Sequence, residues 1–573
     1  MSRTMACSVR HALVLSLLVL APTLLAQPGP RRPRGIYAGV NFEELIKKEQ
    51  AANPSVSRTG LQTYFVGLYQ DLLANPAVSG LALWANWDML NPNPPNAANP
   101  YDWTDFDDAF AAASAWNGRN PTKVPKTIQL VPLPGFQTPH WVLDQIPSCD
   151  GLFQTPAQTP SRACGKATFA GSAEGRGARV LPMPWNPAYK NAWRTFLTAL
   201  AARYGSNPAF ASISVAGPTS SSEEMILPAN ANTPAQDQFA GILPNAMWLK
   251  LLAFHYPRMA ALQRSDQAFI DEWKAAIDMY GQVFSGVTLV ATTGAGLPNL
   301  AATGFKIPSA FSADCPRPNM DCAAETTILS YFREPTVGGA NAKAAQEDGM
   351  EAARVGNFNL GVPGIKLVSR STAQFAAPAA QILGGAQFNS SFANFTLQEG
   401  CTSKFPPNPG DRPAACSIPP SCTIQACIPA ACIPQACLAP GVTPADLASF
   451  KTLRDTPKKD LISPEQAEYN VLKVFFDGTP AASSFGGTPG ATPLDYLQIY
   501  AVDFLYAEAN VHAPAQVVET GGARVSMSAQ DLLNLASQKL FEIGRPGAGR
   551  RMNSTPISPS RDGSPTWRKE PSR

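Results

Sequence analysis

From residue 35 onward, short apolar runs alternate with longer segments in which apolar residues recur every three or four positions. The runs 35–40, 78–87 and 126–132 have the length and apolar content of buried strands. The segments 59–75 and 101–116 carry an apolar stripe with the period of an amphipathic helix. Strands that alternate with helices in this way are typical of a parallel sheet covered by helices. The pattern therefore predicts an α/β fold.

Five further apolar runs extend the pattern to eight strands. They lie at residues 210–216, 287–293, 357–369, 392–397 and 496–506, and the last is either the eighth strand or the helix after it. A short helix is predicted at 374–385, between the sixth and seventh strands. Eight parallel strands joined by helices close into a (β/α)8 TIM barrel, and we predict this architecture for residues 35–543.

Three stretches are too long to be simple connections. They lie near residues 142–187, 300–350 and 401–444, and are rich in Pro and Cys. Loops longer than about 12–15 residues without regular structure usually carry function or act as linkers. We therefore predict a barrel with long Cys/Pro-rich loop insertions. The tail at 544–573 lacks apolar periodicity and is predicted to be disordered.

Residues 1–26 are typical of a secretory signal peptide. Arg3 and Arg10 precede the apolar run 12–20, and Ala26 provides a small residue for cleavage. A membrane anchor is the alternative, but the run is shorter than the roughly 20 residues needed to span a bilayer. The sequence predicts a secreted or periplasmic protein with no membrane segment after cleavage.

Cysteine usage agrees with export. The sequence has 11 cysteines, and the loss of Cys7 with the signal peptide leaves an even number, which favours disulfides. Cys149 and Cys164 bracket one predicted loop, Cys315 and Cys322 bracket another, and the remaining cysteines cluster in the third. Metal binding is the alternative, but CxxC pairs and neighbouring histidines are missing, so no metal is predicted.

The charge balance excludes one class of partner. The chain has 45 Lys and Arg against 42 Asp and Glu, without a long basic run, so no nucleic-acid partner is predicted. It also lacks a Gly-rich phosphate loop and the Gly-x-Ser-x-Gly turn of serine hydrolases. A neutral or weakly charged substrate fits best, and no cofactor is predicted.

The carboxyl ends of the predicted strands are aromatic and acidic, and in a (β/α)8 barrel these ends carry the chemistry. The residues that follow the predicted strands are Trp84, Trp87, Asp88, Asn91, His140, Trp141, Glu223, Glu224 and Glu399. Cleavage of a glycosidic bond needs a carboxylic acid to protonate the leaving oxygen and a second carboxylate to attack or stabilise the sugar. Glu223 or Glu224, together with Glu399, could supply this pair.

Two short motifs add a resemblance to a known group of enzymes. The segment 87–92 (WDMLNP), followed by YDW at 101–103, resembles the second-strand segment of barrel glycoside hydrolases of the cellulase and β-galactosidase type. Residues 138–141 (TPHW) are similar to the stretch after their third strand. The resemblance implies an acid/base glutamate after the fourth strand, Glu224 in preference to Glu223, and a nucleophile after the seventh, Glu399. In this chain residues 217–222 (GPTSSS) replace the usual Asn-Glu pattern.

The candidate binding residues each have a structural alternative. The tryptophans Trp84, Trp87 and Trp141 either stack on the apolar faces of sugar rings or pack in the core. The polar residues Asp88, Asn91 and His140 either bind sugar hydroxyls or orient the loops.

The glutamates also have alternatives. Glu223 and Glu224 would begin a helix capped by one of the preceding serines, and Glu399 would be a solvated loop acid. The preferred interpretation is a secreted glycoside hydrolase that cleaves O-glycosidic bonds in a carbohydrate substrate by a retaining two-glutamate mechanism. One rival is a non-catalytic carbohydrate-binding or surface protein on a degenerate glycosidase barrel. Another is a barrel that supports a partner-binding Cys/Pro loop.

Overall fold

The computed structural model describes residues 32–151, 164–169, 179–220, 224–229, 243–263, 266–298 and 523–543. Between 300 and 518 it describes residues 300, 324, 327–328, 331–332, 343–348, 382–388, 469, 496–501, 504 and 515–518. The predicted signal peptide, the tail at 544–573, the insertion at 401–444 and every cysteine except Cys149 and Cys164 lie outside the described residues.

The elements follow one another in this order. The strands are β1 (Gly35–Asn41), β2 (Val78–Asn86), β3 (Thr127–Leu133), β4 (Lys166–Phe169), β5 (Arg179–Pro182), β6 (Phe210–Ser214), β7 (Glu224–Ile226), β8 (Thr288–Gly296), β9 (Lys343–Asp348), β10 (Ile382–Phe388), β11 (Tyr496–Tyr500), β12 (Ala515–Val518) and β13 (Arg524–Met527). The helices are α1 (Phe42–Ala52), α2 (Arg58–Ala74), α3 (Trp87–Leu90), α4 (Thr104–Arg119), α5 (His140–Leu143), α6 (Pro187–Tyr204), α7 (Pro244–His255), α8 (Ala260–Gln263), α9 (Gln267–Val283) and α10 (Ala529–Ile543). A short 3-10 helix covers Gly135–Gln137.

Nine strands form one parallel sheet in the order β6-β3-β2-β1-β11-β10-β9-β8-β7. β6 also pairs with β8, with Ser212 opposite Thr288, so the sheet curls round on itself. β7 extends the same edge, because Glu224 lies opposite Thr292 of β8. The predicted α/β class is confirmed at the level of a curled parallel sheet with helices.

Alternate strand residues pack on the two sides of this sheet, as the strand period of two requires. Ile36, Ala38 and Val40 of β1 join the large core beneath the helices. Tyr37, from the same strand, belongs instead to a separate cluster with Ala82, Val290 and Tyr496 inside the curl. The interior of the sheet is therefore packed with side chains.

Helices cover the outer side of the sheet because each long helix has an apolar face. α2 buries Leu61, Phe65 and Leu68, and it begins after Ser57, whose Oγ accepts a hydrogen bond from the Gly60 backbone N at 3.1 Å. α6 begins after Asn186, which caps the Tyr189 backbone N at 3.1 Å. Within the described ranges, none of the helices is long and apolar enough to cross a membrane.

The structure adds a helix that is not among those predicted. α1 follows β1 directly and buries only Phe42 and Leu45. Phe42, Leu45 and Ile46 recur at helical spacing and pack on the core, so this short stripe was present in the sequence but was not used in the prediction. The strands and helices predicted up to residue 296 occur in the predicted order with their ends shifted by a few residues, and the structure also adds the short elements β4, β5, β7, α3 and α5.

One predicted helix is wrong at its end. Residues 382–385 of the segment 374–385 belong to strand β10, which pairs in parallel with β9 and β11, and residues 374–381 lie outside the described residues. The sequence of β10, ILGGAQF, has weak strand propensity, so the neighbouring strands determine its conformation. β9 lies inside the predicted insertion 300–350, whereas the predicted strands 357–369 and 392–397 lie outside the described residues.

The first predicted disulfide is confirmed. Cys149 and Cys164 are bonded, with their Cα atoms 5.0 Å apart. The bond closes the start of the predicted insertion 142–187, whose other described part is the antiparallel hairpin of β4 and β5. This insertion therefore carries structure of its own.

Candidate active site

The carboxyl ends of the parallel strands meet at one side of the sheet, which we call the rim. The segments that follow β1, β2 and β3 all reach it, as do residues 215–220 after β6. The rim collects polar side chains from segments far apart in the chain. Two groups of residues lie there, the segment that ends in Glu224 and a cluster around Asp88.

Glu224 is the first residue of β7 and is only 7% exposed. Its backbone is held on both sides: β7 pairs with β8, and Ser220 N donates to Ile226 O at 2.8 Å. Glu224 lies in a strand, so the alternative in which it begins a helix is wrong. Glu223 lies outside the described residues.

The segment before Glu224 is packed against the end of β3. Phe136 N donates to the Ser220 backbone O at 2.5 Å, and both Thr219 and Ser220 are buried. Gly135 permits this approach, because it has φ +73° and a Cβ there would lie 2.2 Å from Ser220 O. The ends of β3 and β6 are therefore joined directly at the rim.

Asp88 is the second residue of α3, immediately after β2, and its Oδ1 is buried without a hydrogen-bond partner. Burial raises the pKa of Asp88 above its ordinary value. The Glu43 carboxylate also raises this pKa, whereas the Met89 backbone N–H, Arg179 and His140 lower it. The carboxyl group is thus held where its proton is retained to higher pH than in water.

The groups that act on Asp88 have partners of their own. Glu43 accepts from Asn86 Nδ2 at 3.0 Å and forms an ion pair with Lys47 at 2.7 Å. Arg179 donates to Gln137 Oε1 at 2.8 Å, and its guanidinium carbon lies 5.1 Å from the centre of the Phe136 ring. We call Glu43, Asp88, Gln137, His140 and Arg179 the rim cluster.

The rim cluster combines two acids, a guanidinium, an amide and an imidazole at the end of a parallel sheet. His140 is exposed, whereas Gln137 is 4% exposed. Such a set offers donors and acceptors to a polyhydroxylated ligand. It also places a carboxyl group with a raised pKa beside groups that can bind an oxygen-rich substrate.

The predicted tryptophans differ in how much of their ring surface a ligand could contact. Trp84 fills the inside of the curled sheet beside Val131, Leu133 and Tyr500, and is 4% exposed. Trp87 is fully buried, with its ring centre 4.8 Å from that of Trp193. Both positions fit the packing alternative.

Trp141 keeps a partly exposed ring, and it is linked to Asn91. Trp141 Nε1 donates to Asn91 O at 3.0 Å, and Trp87 Nε1 donates to Asn91 Oδ1 at 3.2 Å. The Asn91 amide nitrogen donates to Asn93 O and Pro100 O, each at 2.8 Å. Asn91, which is 1% exposed, therefore orients the loop after α3, and Trp141 is the predicted tryptophan that retains ring surface for a ligand.

Sequence reasoning missed Glu43, Gln137 and Arg179. Glu43 lies shortly after the first predicted strand, and Gln137 lies in the segment after the third, so position alone could have identified both. Arg179 enters from the long insertion, and no local pattern marks it.

The ends of the later strands also differ from expectation. β9 ends in Glu347 and Asp348, and Asp348 pairs in register with Gln387 of β10. β10 ends at Phe388, well before Glu399, which lies outside the described residues. Because the sixth strand was predicted at 357–369, the acids of β9 were not among the candidates.

No family model and no curated protein matches this chain. Among solved structures, it is similar to β-galactosidase from the psychrophilic Marinomonas ef1, with a TM-score of 0.35 and 10% identity over 89% of this chain and 60% of that one. It is also similar to endo-1,4-β-xylanase from Caldicellulosiruptor owensensis, with a TM-score of 0.30 and 11% identity over 82% of this chain and 84% of that one. It is similar as well to β-galactosidase from the Antarctic haloarchaeon Halorubrum lacusprofundi, with a TM-score of 0.32 and 10% identity over 89% of this chain and 58% of that one. The chain spans 60% or less of the length of these two β-galactosidases.

Proposed function

We propose that this protein is an exported glycoside hydrolase that cleaves O-glycosidic bonds at the rim of a (β/α)8 barrel. Parallel pairing that returns from β8 to β6 supports the complete barrel. The resemblance of the segments 87–92 and 138–141 to barrel glycoside hydrolases supports the reaction.

The observation that carries the proposal is the position of Glu224. Its carboxylate belongs to a nearly buried residue at the carboxyl end of the sheet, where β7, β8 and the 219–220 segment hold its backbone. A general acid must be positioned accurately in a site from which water is largely excluded. Glu224 meets both conditions, and we assign it the acid/base role.

The second carboxylate of the mechanism is Glu399, which we propose as the nucleophile. In a retaining enzyme this group attacks the anomeric carbon as Glu224 protonates the leaving oxygen. Water then hydrolyses the glycosyl-enzyme, and Glu224 acts as the base. Carboxyl groups roughly 5–5.5 Å apart would give retention, and the configuration of the first-formed sugar, measured by NMR, tests this assignment.

The rim cluster would bind the sugar. Asp88, Arg179 and Gln137 supply acceptors and donors for hydroxyl groups, and His140 lies at the exposed side of the cluster. Trp141 offers its ring to an apolar sugar face. The substrate is therefore a neutral carbohydrate, and its identity and linkage are to be found with a panel of glycosides.

Substitution of Glu224 tests the acid/base role. Glu224→Gln is expected to lower kcat/KM, which reports the glycosylation step, on a phenyl glycoside by about 10²–10⁴-fold, because general acid catalysis contributes that much. The loss of kcat/KM should be smaller on a dinitrophenyl glycoside, whose leaving group needs little protonation. Glu399→Gln should abolish turnover of both substrates, because the nucleophile is needed whatever the leaving group.

The control is Asp71→Asn, which removes an exposed acid on α2 and should leave kcat unchanged. Full activity of Glu224→Gln on the phenyl glycoside would refute its assignment. If the wild-type protein hydrolyses no member of the panel but binds one of them, the carbohydrate-binding alternative is correct.

A further inference from the structure

A histidine lies beside the Cys149–Cys164 disulfide, away from the rim cluster. His255 Nε2 is 3.9 Å from Cys164 Sγ, and one ligand atom from each of the three residues lies within 4.8 Å of the others. The cysteines are buried and the histidine is partly exposed, so solvent can reach the group from one side.

We propose that Cys149, Cys164 and His255 form a Zn²⁺ site when the disulfide is reduced. The same three side chains then have two exclusive states, a disulfide in oxidising surroundings and a Cys2His metal site in reducing ones. This inference is independent of the proposed glycosidase activity.

The spacing of the atoms is close to what zinc requires. Zn–S distances of about 2.3 Å and Zn–N distances of about 2.0–2.1 Å in a tetrahedron place S and N about 3.6 Å apart. Nε2 therefore needs to move by only a few tenths of an ångström towards Cys164, whereas the Cys149 sulfur, which lies within 4.8 Å, must approach Nε2 further. The two sulfurs must separate to about 3.8 Å, which rotation about the cysteine side-chain torsions can provide at a Cα–Cα distance of 5.0 Å.

Backbone hydrogen bonds keep the two cysteines together without the disulfide. Cys149 N donates to Lys166 O at 2.7 Å, and Gly165 N donates to Pro147 O at 2.8 Å. Met183 N donates to Gly165 O at 2.7 Å and ties this pair to the end of β5. Reduction therefore leaves the two thiols side by side.

His255 is also held in place from outside the disulfide loop. It is the last residue of α7, and Trp248 of the same helix donates to Pro228 O at 2.8 Å. The His255 ring lies edge to face against Trp185, with centres 5.4 Å apart. These contacts position His255 independently of the disulfide.

A dithiol reductant supplies two electrons and two protons, the S–S bond breaks to give two thiols, and the reductant becomes a disulfide. Zn²⁺ then displaces one proton from each thiol, while Nε2 donates its lone pair. Three protein ligands leave the fourth tetrahedral position for water.

Alkylation mapped by mass spectrometry tests the site residue by residue, so the other cysteines of the full-length chain do not interfere. The protein is reduced with a dithiol, the reductant is removed, and iodoacetamide is added with or without Zn²⁺. Zn²⁺ is expected to slow alkylation of Cys149 and Cys164 at least about tenfold, because a metal-bound thiolate is a poor nucleophile. In His255→Ala the protection should be largely lost, whereas the control His140→Ala, which removes an exposed histidine elsewhere, should retain it.

Circular dichroism of the reduced proteins checks that each variant is folded. Equal alkylation of wild-type Cys149 and Cys164 with and without Zn²⁺ would overturn the proposal. Protection that persists in folded His255→Ala would remove the histidine from the site and overturn the proposed ligand set.

Discussion

At the residue scale, two glycines make room for aromatic rings inside the curled sheet. A Cβ on Gly39 would lie 2.1 Å from Cζ3 of Trp84, and one on Gly80 would lie 2.7 Å from Cε1 of Tyr37. Both glycines belong to the inner strands β1 and β2. The small residue on one strand thus accommodates the large residue on its neighbour, and the pair fills the interior beneath the rim.

Gly39→Ala is predicted to destabilise the protein by about 1–3 kcal/mol, the usual effect of overpacking a full core. The added methyl group meets a buried indole that is itself surrounded by other side chains. Denaturant unfolding of Gly39→Ala and of the wild type would measure the change in stability. Gly67→Ala is the matched control, because no heavy atom lies within 4 Å of the added Cβ and the helix gains propensity. Equal stability of Gly39→Ala and the wild type would contradict the close packing of Gly39 against the Trp84 ring.

At the element scale, caps and register place the rim residues. β7 is only three residues long and begins with Glu224. It pairs with β8 beyond the part of β8 that pairs with β6, and this pairing holds Glu224 at the carboxyl end of the sheet. α3 begins directly after β2, which places Asp88 in its first turn. Short elements at the strand ends thus determine where the acids lie, while the long helices hold the sheet from outside.

Ser57 isolates the contribution of one helix cap. Its side chain is exposed and accepts a hydrogen bond from Gly60 N at 3.1 Å at the start of α2. Ser57→Ala should therefore lower the free energy of unfolding by about 1 kcal/mol, as measured by urea denaturation. Ser57→Asp keeps an acceptor and adds a charge that suits the helix N-terminus, so it should retain the wild-type stability. If both variants lose stability equally, the cap is not the cause.

At the scale of the whole molecule, the two ends of the sheet differ in character. The carboxyl end collects the polar rim cluster, whereas the amino end contains the buried Lys126. The Lys126 ammonium group donates to the backbone oxygens of Asn75 and Val78, and it lies 4.6 Å from the centre of the Trp116 ring. Lys126 thus links the segments that lead into β2 and β3.

The titration of Lys126 predicts a pH dependence of global stability. Burial lowers its pKa to about 8, below the value near 10.5 of the unfolded chain. Between these values the unfolded state binds the proton more tightly, so the free energy of unfolding should rise with pH. The full difference corresponds to about 3 kcal/mol.

This increase should be visible between pH 8 and 10 as a difference between the wild type and Lys126→Met. Urea unfolding at several pH values gives the two curves. Lys48→Met removes an exposed lysine on α1, away from Lys126 in the sequence, and should retain the wild-type slope. Parallel curves for the wild type and Lys126→Met would show that Lys126 has the same pKa in the folded and the unfolded protein, which would contradict the prediction.

The sequence alone determined the elements with strong local signals. Apolar runs identified β1, β2, β3, β6 and β8, because strands buried on both sides need continuous apolar residues. Amphipathic stripes identified α2 and α4. The Cys149–Cys164 bond followed from proximity in the chain. Local patterns were sufficient where the residues themselves stabilise the element.

Only the tertiary structure decided β7, β9, β10 and the composition of the rim cluster. The Ala- and Gly-rich β10 is a strand because β9 and β11 pair with it, and the local sequence does not predict this pairing. Arg179 reaches the neighbourhood of Asp88 from the insertion, and Glu43 reaches it from α1. Trp87 is oriented by Trp193 and Asn91 and packs in the core. Each of these outcomes depends on contacts between segments distant in sequence, and the curl of the parallel sheet brings those segments together.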